Sequence, residues 1–119
     1  MLMLPPSVRI FVAADPTDMR RSFDRLAEQA KSVIGQDPFS GHLFVFFNRP
    51  RDRVKVLVWD RGGFVIWYKR LEEGSFRLPA SSGVLEIEAA ELALILEGIE
   101  LAGSLRRPRF APRGVISSP

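Results

Sequence analysis

Three short apolar runs, Leu43–Phe47, Val54–Trp59 and Phe64–Tyr68, follow one another with only a few polar residues between them. Successive side chains on a strand point to opposite faces, so each run assigns its residues to sides. The first sends Leu43, Val45 and Phe47 one way and Phe44 and Phe46 the other. Both sides are apolar, which predicts a central strand covered by a helix on one face and by another layer or a second subunit on the other. The second run sets Val54, Val56 and Val58 against Lys55, Leu57 and Trp59, and the third sets Phe64, Ile66 and Tyr68 against Val65, Trp67 and Lys69. Asp60-Arg61-Gly62-Gly63 is short enough for a tight hairpin, with glycine supplying the positive φ such turns need. Asn48-Arg49-Pro50-Arg51-Asp52-Arg53 makes a longer, more exposed turn. Links this short join antiparallel neighbours, so the runs predict a β-meander.

The flanking segments supply helices. Val8–Val12 predicts a first strand, and a helix should follow Asp15-Pro16-Thr17-Asp18. Either Asp15 caps that helix with Pro16 at its first position, or Thr17 caps it after a turn. Met19, Phe23, Leu26, Ala27, Ala30 and Val33 recur at helical spacing as one apolar stripe, while Arg20, Asp24, Glu28 and Lys31 occupy much of the other side. Gly35 is a natural stop, and Asp37–Gly41 a turn into the meander. Phe76–Leu78 and Val84–Ile87 read as brief strands. Ala89–Glu97 reads as a helix with Leu92, Ile95 and Leu96 on its apolar side and Gly98 as its end. Ser104–Pro119 has few apolar residues and is expected to be a flexible basic tail. The expected fold class is α+β, a small single domain over residues 1–103 in which an antiparallel β-meander packs against an N-terminal helix and a short C-terminal helix. The tail at 104–119 follows it.

At 119 residues and 46% hydrophobic content the chain can bury one core, although a domain of this size hides a modest share of its surface and gains from dimerisation. Cysteine is absent. Disulfides and thiolate metal sites are thereby excluded, in keeping with a reducing cytoplasm. Met1–Pro6 has no basic cluster leading into an apolar core, and no run approaches the roughly 20 apolar residues of a membrane span. A cytoplasmic location without a membrane partner is the default. The net charge is +3, but it is unevenly spread. Arg49–Arg70 carries seven basic and two acidic side chains, Glu72–Glu100 carries seven glutamates against Arg77 alone, and the tail carries Arg106, Arg107, Arg109 and Arg113 without an acid. Such segregation suits the steering of a polyanion or an acidic partner.

Catalytic signals are missing. His42 is the only histidine, which excludes the H-E-x-x-H zinc pattern, and it reads best as a partly buried hydrogen-bonding residue. Phosphate-loop, dinucleotide-binding and nucleophile-elbow motifs do not occur. Asp15 and Asp18, with Asp60 brought near, would make a metal-dependent nuclease conceivable. Carboxylates at a helix start are also favoured by its unpaired amides, so capping and turn roles are the stronger reading. No cofactor or metal is implied. Arg49, Arg51 and Arg53 are better candidates, because guanidinium groups grip phosphate oxygens in pairs and one turn sets all three along a ridge. Lys55, Arg61, Lys69 and Arg70 extend the basic set, and Trp59, Trp67 and Tyr68 offer stacking surfaces if exposed. Nucleic-acid or partner binding is therefore assigned to Arg49, Arg51, Arg53, Lys55, Arg61, Lys69, Arg70 and Trp67.

The wording of the chain is more specific than its composition. Pro16-Thr17-Asp18-Met19-Arg20 with Phe23-Asp24 and Leu26, then Asp37-Pro38-Phe39-Ser40-Gly41-His42-Leu43-Phe44-Val45-Phe46, closely resembles the accessory protein encoded by the second open reading frame of insertion-sequence-66 (IS66) type bacterial transposons, often labelled TnpB. The likeness continues through Asn48-Arg49, Asp52-Arg53, Lys55, Trp59-Asp60, Gly63-Phe64, Trp67–Glu72, Gly74 and Phe76, and ends in Leu92-Ala93-Leu94, Leu96-Glu97-Gly98 and Ile99. Two positions depart from it: Glu88 stands where that family commonly has Thr or Ser, and Pro50 interrupts the arginine turn. The resemblance implies a helper in transposition, acting beside a separate transposase that carries the strand-transfer carboxylates. It does not imply the larger RNA-guided nuclease of the same label, for which this chain is too short. A non-catalytic accessory protein contacting transposon-end DNA, the cognate transposase or both is the first expectation. A protein-only module, acting as a homodimer or as a transposase assembly factor, is the alternative.

Overall fold

All five residues of Leu43–Phe47 are buried, and the architecture is built outward from them. The computed structural model describes residues 4–79 and 83–97; the expected tail at 104–119 and the Gly98 stop lie outside these residues. Five strands, β1 (Ile10–Ala13), β2 (Leu43–Phe47), β3 (Arg53–Trp59), β4 (Phe64–Arg70) and β5 (Val84–Ile87), form one sheet in the order β4-β3-β2-β1-β5. The meander is present as β2-β3-β4, antiparallel throughout. On its other side β2 pairs in parallel with β1, and β1 pairs antiparallel with β5, so the sheet is mixed. A parallel pair needs a crossover, and the helix α1 (Phe23–Gln29), prolonged by a π-helical turn at Ala30–Ile34, lies in it.

Each face of β2 has its own core. Leu43, Val45 and Phe47 join Ile10, Val12, Val54, Val56 and Ile87 beneath Leu92, Ile95 and Leu96 of α2 (Ala89–Glu97). Phe44 and Phe46 join Phe11, Ala13 and Leu57 beneath Leu26, Ala30 and Ile34 of the crossover helix. The second covering layer is thus α2 of the same chain. The fold is α+β, with the meander held between an N-terminal and a short C-terminal helix.

Local boundaries differ from the expected ones for identifiable reasons. The first strand starts at Ile10, because the Val8 N–H donates to the Pro5 carbonyl in a turn at 3.0 Å. Neither Asp15 nor Thr17 caps α1, whose N-cap position is Ser22. Thr17 is buried and already committed: its N–H donates to the Phe47 carbonyl at 2.8 Å and its Oγ1 accepts from Gln29 Nε2 at 2.8 Å. The buried stripe is Leu26, Ala30 and Ile34, while Phe23 and Val33 are 44% and 53% exposed. In the wider π-helical turn, residues lie above one another at a longer spacing than in an α-helix, which brings Ile34 rather than Val33 onto the sheet. Gly35 does end this helix, in the left-handed conformation at φ 80°. Phe76–Leu78 is not a strand. Phe76 instead drops into the core against Phe47, and its N–H is satisfied by the Arg51 carbonyl at 2.6 Å. The last helix spans the expected residues, and Glu91 Oε1 accepts the Glu88 N–H at 3.0 Å, half of a capping box that needs no Thr or Ser at Glu88.

Two expected outcomes follow from this packing. Leu57 is fully buried in the α1-side core, so Leu57→Ala should lower stability by about 3 kcal/mol in urea unfolding, from lost burial plus the cavity left behind. In the β3–β4 hairpin the Asp60 N–H donates to the Gly63 carbonyl at 2.8 Å, with Arg61 at φ 45° and Gly62 at φ 87°. Positive φ at both central residues is the type I′ pattern, which a residue with a Cβ adopts at a cost. Arg61→Gly should therefore raise stability by about 1 kcal/mol; a loss would show that the Arg61 side chain contributes contacts of its own.

Candidate functional site

Because β1 and β2 run parallel and β3 reverses β2, the end of β1, the end of β2, the start of β3 and the end of β4 all lie at one end of the sheet. This end collects the arginine turn, Arg53, Arg70 and the segment between Asp15 and Ser22. The opposite end carries the Asp60–Gly63 hairpin with Arg61, and also His42, whose Nδ1 accepts the Arg9 N–H at 2.9 Å.

The arginine turn is built by Asn48. Its Oδ1 accepts the Asp52 and Arg53 N–H groups at 3.1 and 3.0 Å, and its Nδ2 donates to Asp52 Oδ1 at 2.6 Å. Arg51 sits at φ 58°, a left-handed position that a non-glycine residue holds only when its surroundings impose it. Those surroundings are the Arg51 N–H to the Asn48 carbonyl at 3.1 Å, the Phe76 N–H to the Arg51 carbonyl, and the Leu71 N–H to the Asp52 carbonyl at 2.7 Å. The turn is therefore a fixed platform with Arg49 exposed and Arg51 and Arg53 partly so.

Arg53 and Arg70 are direct partners in the β3–β4 register. Like charges placed opposite one another in a ladder repel. Arg70 is partly compensated by Glu72, whose Oε2 accepts from its Nε at 3.1 Å, but both side chains are more than half exposed and such pairs are weak. None of the three ion pairs among the described residues includes Arg53; the others are Arg9–Glu86 and Arg20–Asp18. Tyr68, on the same face and 49% exposed, completes a cleft of about 300 Å³ lined by Arg53, Tyr68, Arg70 and Glu72.

Lys55 lies under this cleft. It is 8% exposed; its Nζ donates to the Met19 and Arg21 carbonyls, each at 2.8 Å, and stands 4.7 Å from the centre of the Tyr68 ring. The ammonium thereby pins the segment before α1 against the sheet and braces Tyr68 from behind. Arg20 is held by Asp18 through Nε and Nη2, at 3.0 and 2.7 Å to Oδ2. Hydrogen bonds from the Arg20 side chain and backbone hold the Asp18 carboxyl down at about 2. Arg21 Nη1 donates to Gln29 Oε1 at 2.7 Å, and Arg25 is exposed on α1.

Of the eight residues selected from the sequence, Arg49, Arg51, Arg53 and Arg70 share one end of the sheet, with Lys55 interior to it. Lys69 and Trp67 are on the opposite face. There Lys69 Nζ donates to the Leu96 carbonyl in the last turn of α2 at 3.1 Å, and Trp67 packs half-buried on the α2-side core. Trp59 packs edge-on against Phe39 and Phe64, at 5.0 Å between centres in each case. Arg61 lies at the far end. Sequence reasoning missed Arg20 and Arg21 as neighbours of the basic end, since their segment is brought there by the long-range Lys55 contacts and by the Thr17 bond to Phe47. Asp60 is separated from Asp15 and Asp18 by the length of β3, so this trio does not converge. Among the described residues no group of three His, Cys, Asp or Glu side chains is placed to hold a metal, and no helix is long and apolar enough to cross a membrane.

The sequence that forms this mixed-sheet α+β module matches a known family. Residues 8–106 match the family described as IS66 Orf2 like protein, and the chain belongs to that family, which is associated with the transposition of an insertion sequence. It is similar to uncharacterized protein y4jC of Sinorhizobium fredii, 34% identical over 116 residues that cover 95% of this chain and 99% of the relative. It is also similar to uncharacterized protein y4hO of the same organism, 39% identical over 101 residues that cover 82% and 88% of the two chains. No solved structure matches the chain.

The Asp18–Arg20 contact has a measurable signature. Asp18 should titrate near pH 2 by carboxyl-detected NMR, and Arg20→Ala should return it toward the ordinary aspartate value of 3.8. A folded-state pKa below the unfolded one means that the stabilisation from Asp18 is present above the unfolded value and is lost as pH falls through about 2.

Proposed function

We propose that this protein is a non-catalytic accessory factor of IS66-type transposition that contacts transposon-end DNA through Arg49, Arg51, Arg53 and Arg70. The observation that carries the reading is the Arg53–Arg70 register pair. Two guanidinium groups opposed in a ladder, one of them without a carboxylate among the described residues, repel each other until a shared anion lies between them. Phosphate oxygens are suitable anions, and the rigid turn beside the pair holds further arginines for neighbouring phosphates. The separate transposase supplies the strand-transfer chemistry, and both proteins meet the element's DNA in the cytoplasm.

A protein-only role is the second reading, as a homodimer or as an assembly factor for the transposase. It is favoured by β4, a seven-residue edge strand that leaves one ladder of backbone groups unpaired. A strict monomer by light scattering that also fails to capture the cognate transposase would count against it.

The DNA reading is tested by titrating labelled transposon-end duplex at several salt concentrations. Binding should fall steeply with salt, and an Arg53→Ala, Arg70→Ala double variant should reduce the log–log slope by about 2, near one for each phosphate contact removed. Arg61→Gly removes one charge at the far end of the sheet and should leave the slope unchanged. Absence of binding by the unaltered protein at low salt, or equal weakening by Arg61→Gly, would overturn the assignment.

A further inference from the structure

We infer that the cleft between Arg53, Tyr68 and Arg70 is a site for single-stranded DNA, in which one unpaired base stacks on the open face of Tyr68 and its flanking phosphates meet the two guanidinium groups. The inference rests on the DNA-binding reading and narrows it to one form of DNA at one site.

Tyr68 is the side chain that points to this ligand. It projects from an edge strand whose every residue is paired to β3, so its position is set before any ligand arrives. One face of its ring is occupied: the Lys55 ammonium lies 4.7 Å from the ring centre, and behind it the Met19 and Arg21 carbonyls close the space. Tyr68 as a whole nevertheless remains 49% exposed and lines the cleft with Arg53 and Arg70, which leaves the side of the ring away from Lys55 as the one a base can reach. A cation beneath an aromatic ring draws on its π electrons, which makes the outer face a poorer seat for a second cation and a better one for an electron-rich base. Trp59 and Trp67 are partly engaged in packing and line a separate cleft with Val56, Val58 and Val65, one whose lining among the described residues includes no arginine to meet a phosphate.

The surroundings of the ring select the same ligand. Arg70 follows Tyr68 two residues along the strand and Arg53 stands opposite Arg70, so both residues lie beyond it toward one end of the sheet, on the same face. The bond from Arg70 to Glu72 uses Nε, so its terminal nitrogens remain for an oxyanion. At about 300 Å³ the cleft is at the small end of the range for ligand sites, large enough for one planar base. A duplex shows only base edges in its grooves and keeps its ring faces stacked inside, so a ring platform is useful to an unpaired base alone.

The test compares three labelled probes of equal length by anisotropy: an oligodeoxyadenylate strand, the same strand with abasic sites in place of its bases, and a duplex. Tyr68→Leu keeps an apolar side chain of similar length without a ring, and Tyr68→Phe restores the ring. The adenylate strand should bind more tightly than either other probe. Tyr68→Leu should weaken it about tenfold, the effect of losing one stacked base, with Tyr68→Phe near the unaltered protein. Binding of the abasic strand should be unchanged by Tyr68→Leu, which also shows that the variant is folded. Equal binding of adenylate and abasic strands, a preference for duplex, or indifference to Tyr68→Leu would overturn the stacking site. Salt-dependent binding lost in the Arg53→Ala, Arg70→Ala variant would still support the basic sheet end in those cases. Failure of all three probes to bind at low salt would overturn both.

Discussion

A strand with no polar side has to be covered twice. Leu43–Phe47 has its apolar side chains divided between two faces and all of them buried, and most of the architecture follows from meeting that demand within one chain. The crossover helix covers Phe44 and Phe46, and α2 covers Leu43, Val45 and Phe47. Neighbouring strands protect the backbone on both sides: β3 through a short hairpin, and β1 in parallel through the crossover. Burial of apolar surface on this scale is the main favourable term in folding, and here it places the helices before any polar contact has a say.

That arrangement has a consequence for charge. Strand order leaves β4 at an edge, and its last residue, Arg70, meets Arg53, the one residue at the start of β3 that is not buried. Basic residues at this corner stay in water, except for Lys55, which points inward. A buried ammonium is costly unless its donors are met, and here two backbone carbonyls and an aromatic ring meet them. One side chain therefore links the two levels of the structure. It ties the entry to α1 onto the sheet and sets the ring at the floor of the basic cleft.

Much of this fold was legible before the coordinates. The meander, its alternation of faces, the last helix and the Gly35 stop all depend on local spacing, which a sequence displays directly. The start of the first helix was not legible, because Thr17 has the chemistry of a cap but its N–H and hydroxyl are used by Phe47 and by Gln29, residues distant in the chain. The shift of its buried stripe from Val33 to Ile34 depends on a change of helical pitch that residue types do not signal. Phe76 looked like part of a strand because it is aromatic beside a proline-containing loop, whereas its backbone meets the arginine turn through a single bond and its ring fills the core.

The candidate site divides the same way. Residue order alone determined that arginines would cluster in the turn before β3, and strand parity placed Arg53 with Lys55, and Tyr68 with Arg70. Only the tertiary structure decided that these two pairs are matched across one ladder, that Lys69 and Trp67 fall on the other face, and that Arg61 lies a strand's length away. The physical reason is that side-chain alternation is written into the chain by covalent geometry. Register between strands, and the end of the sheet to which a loop returns, are settled by contacts between residues far apart in sequence.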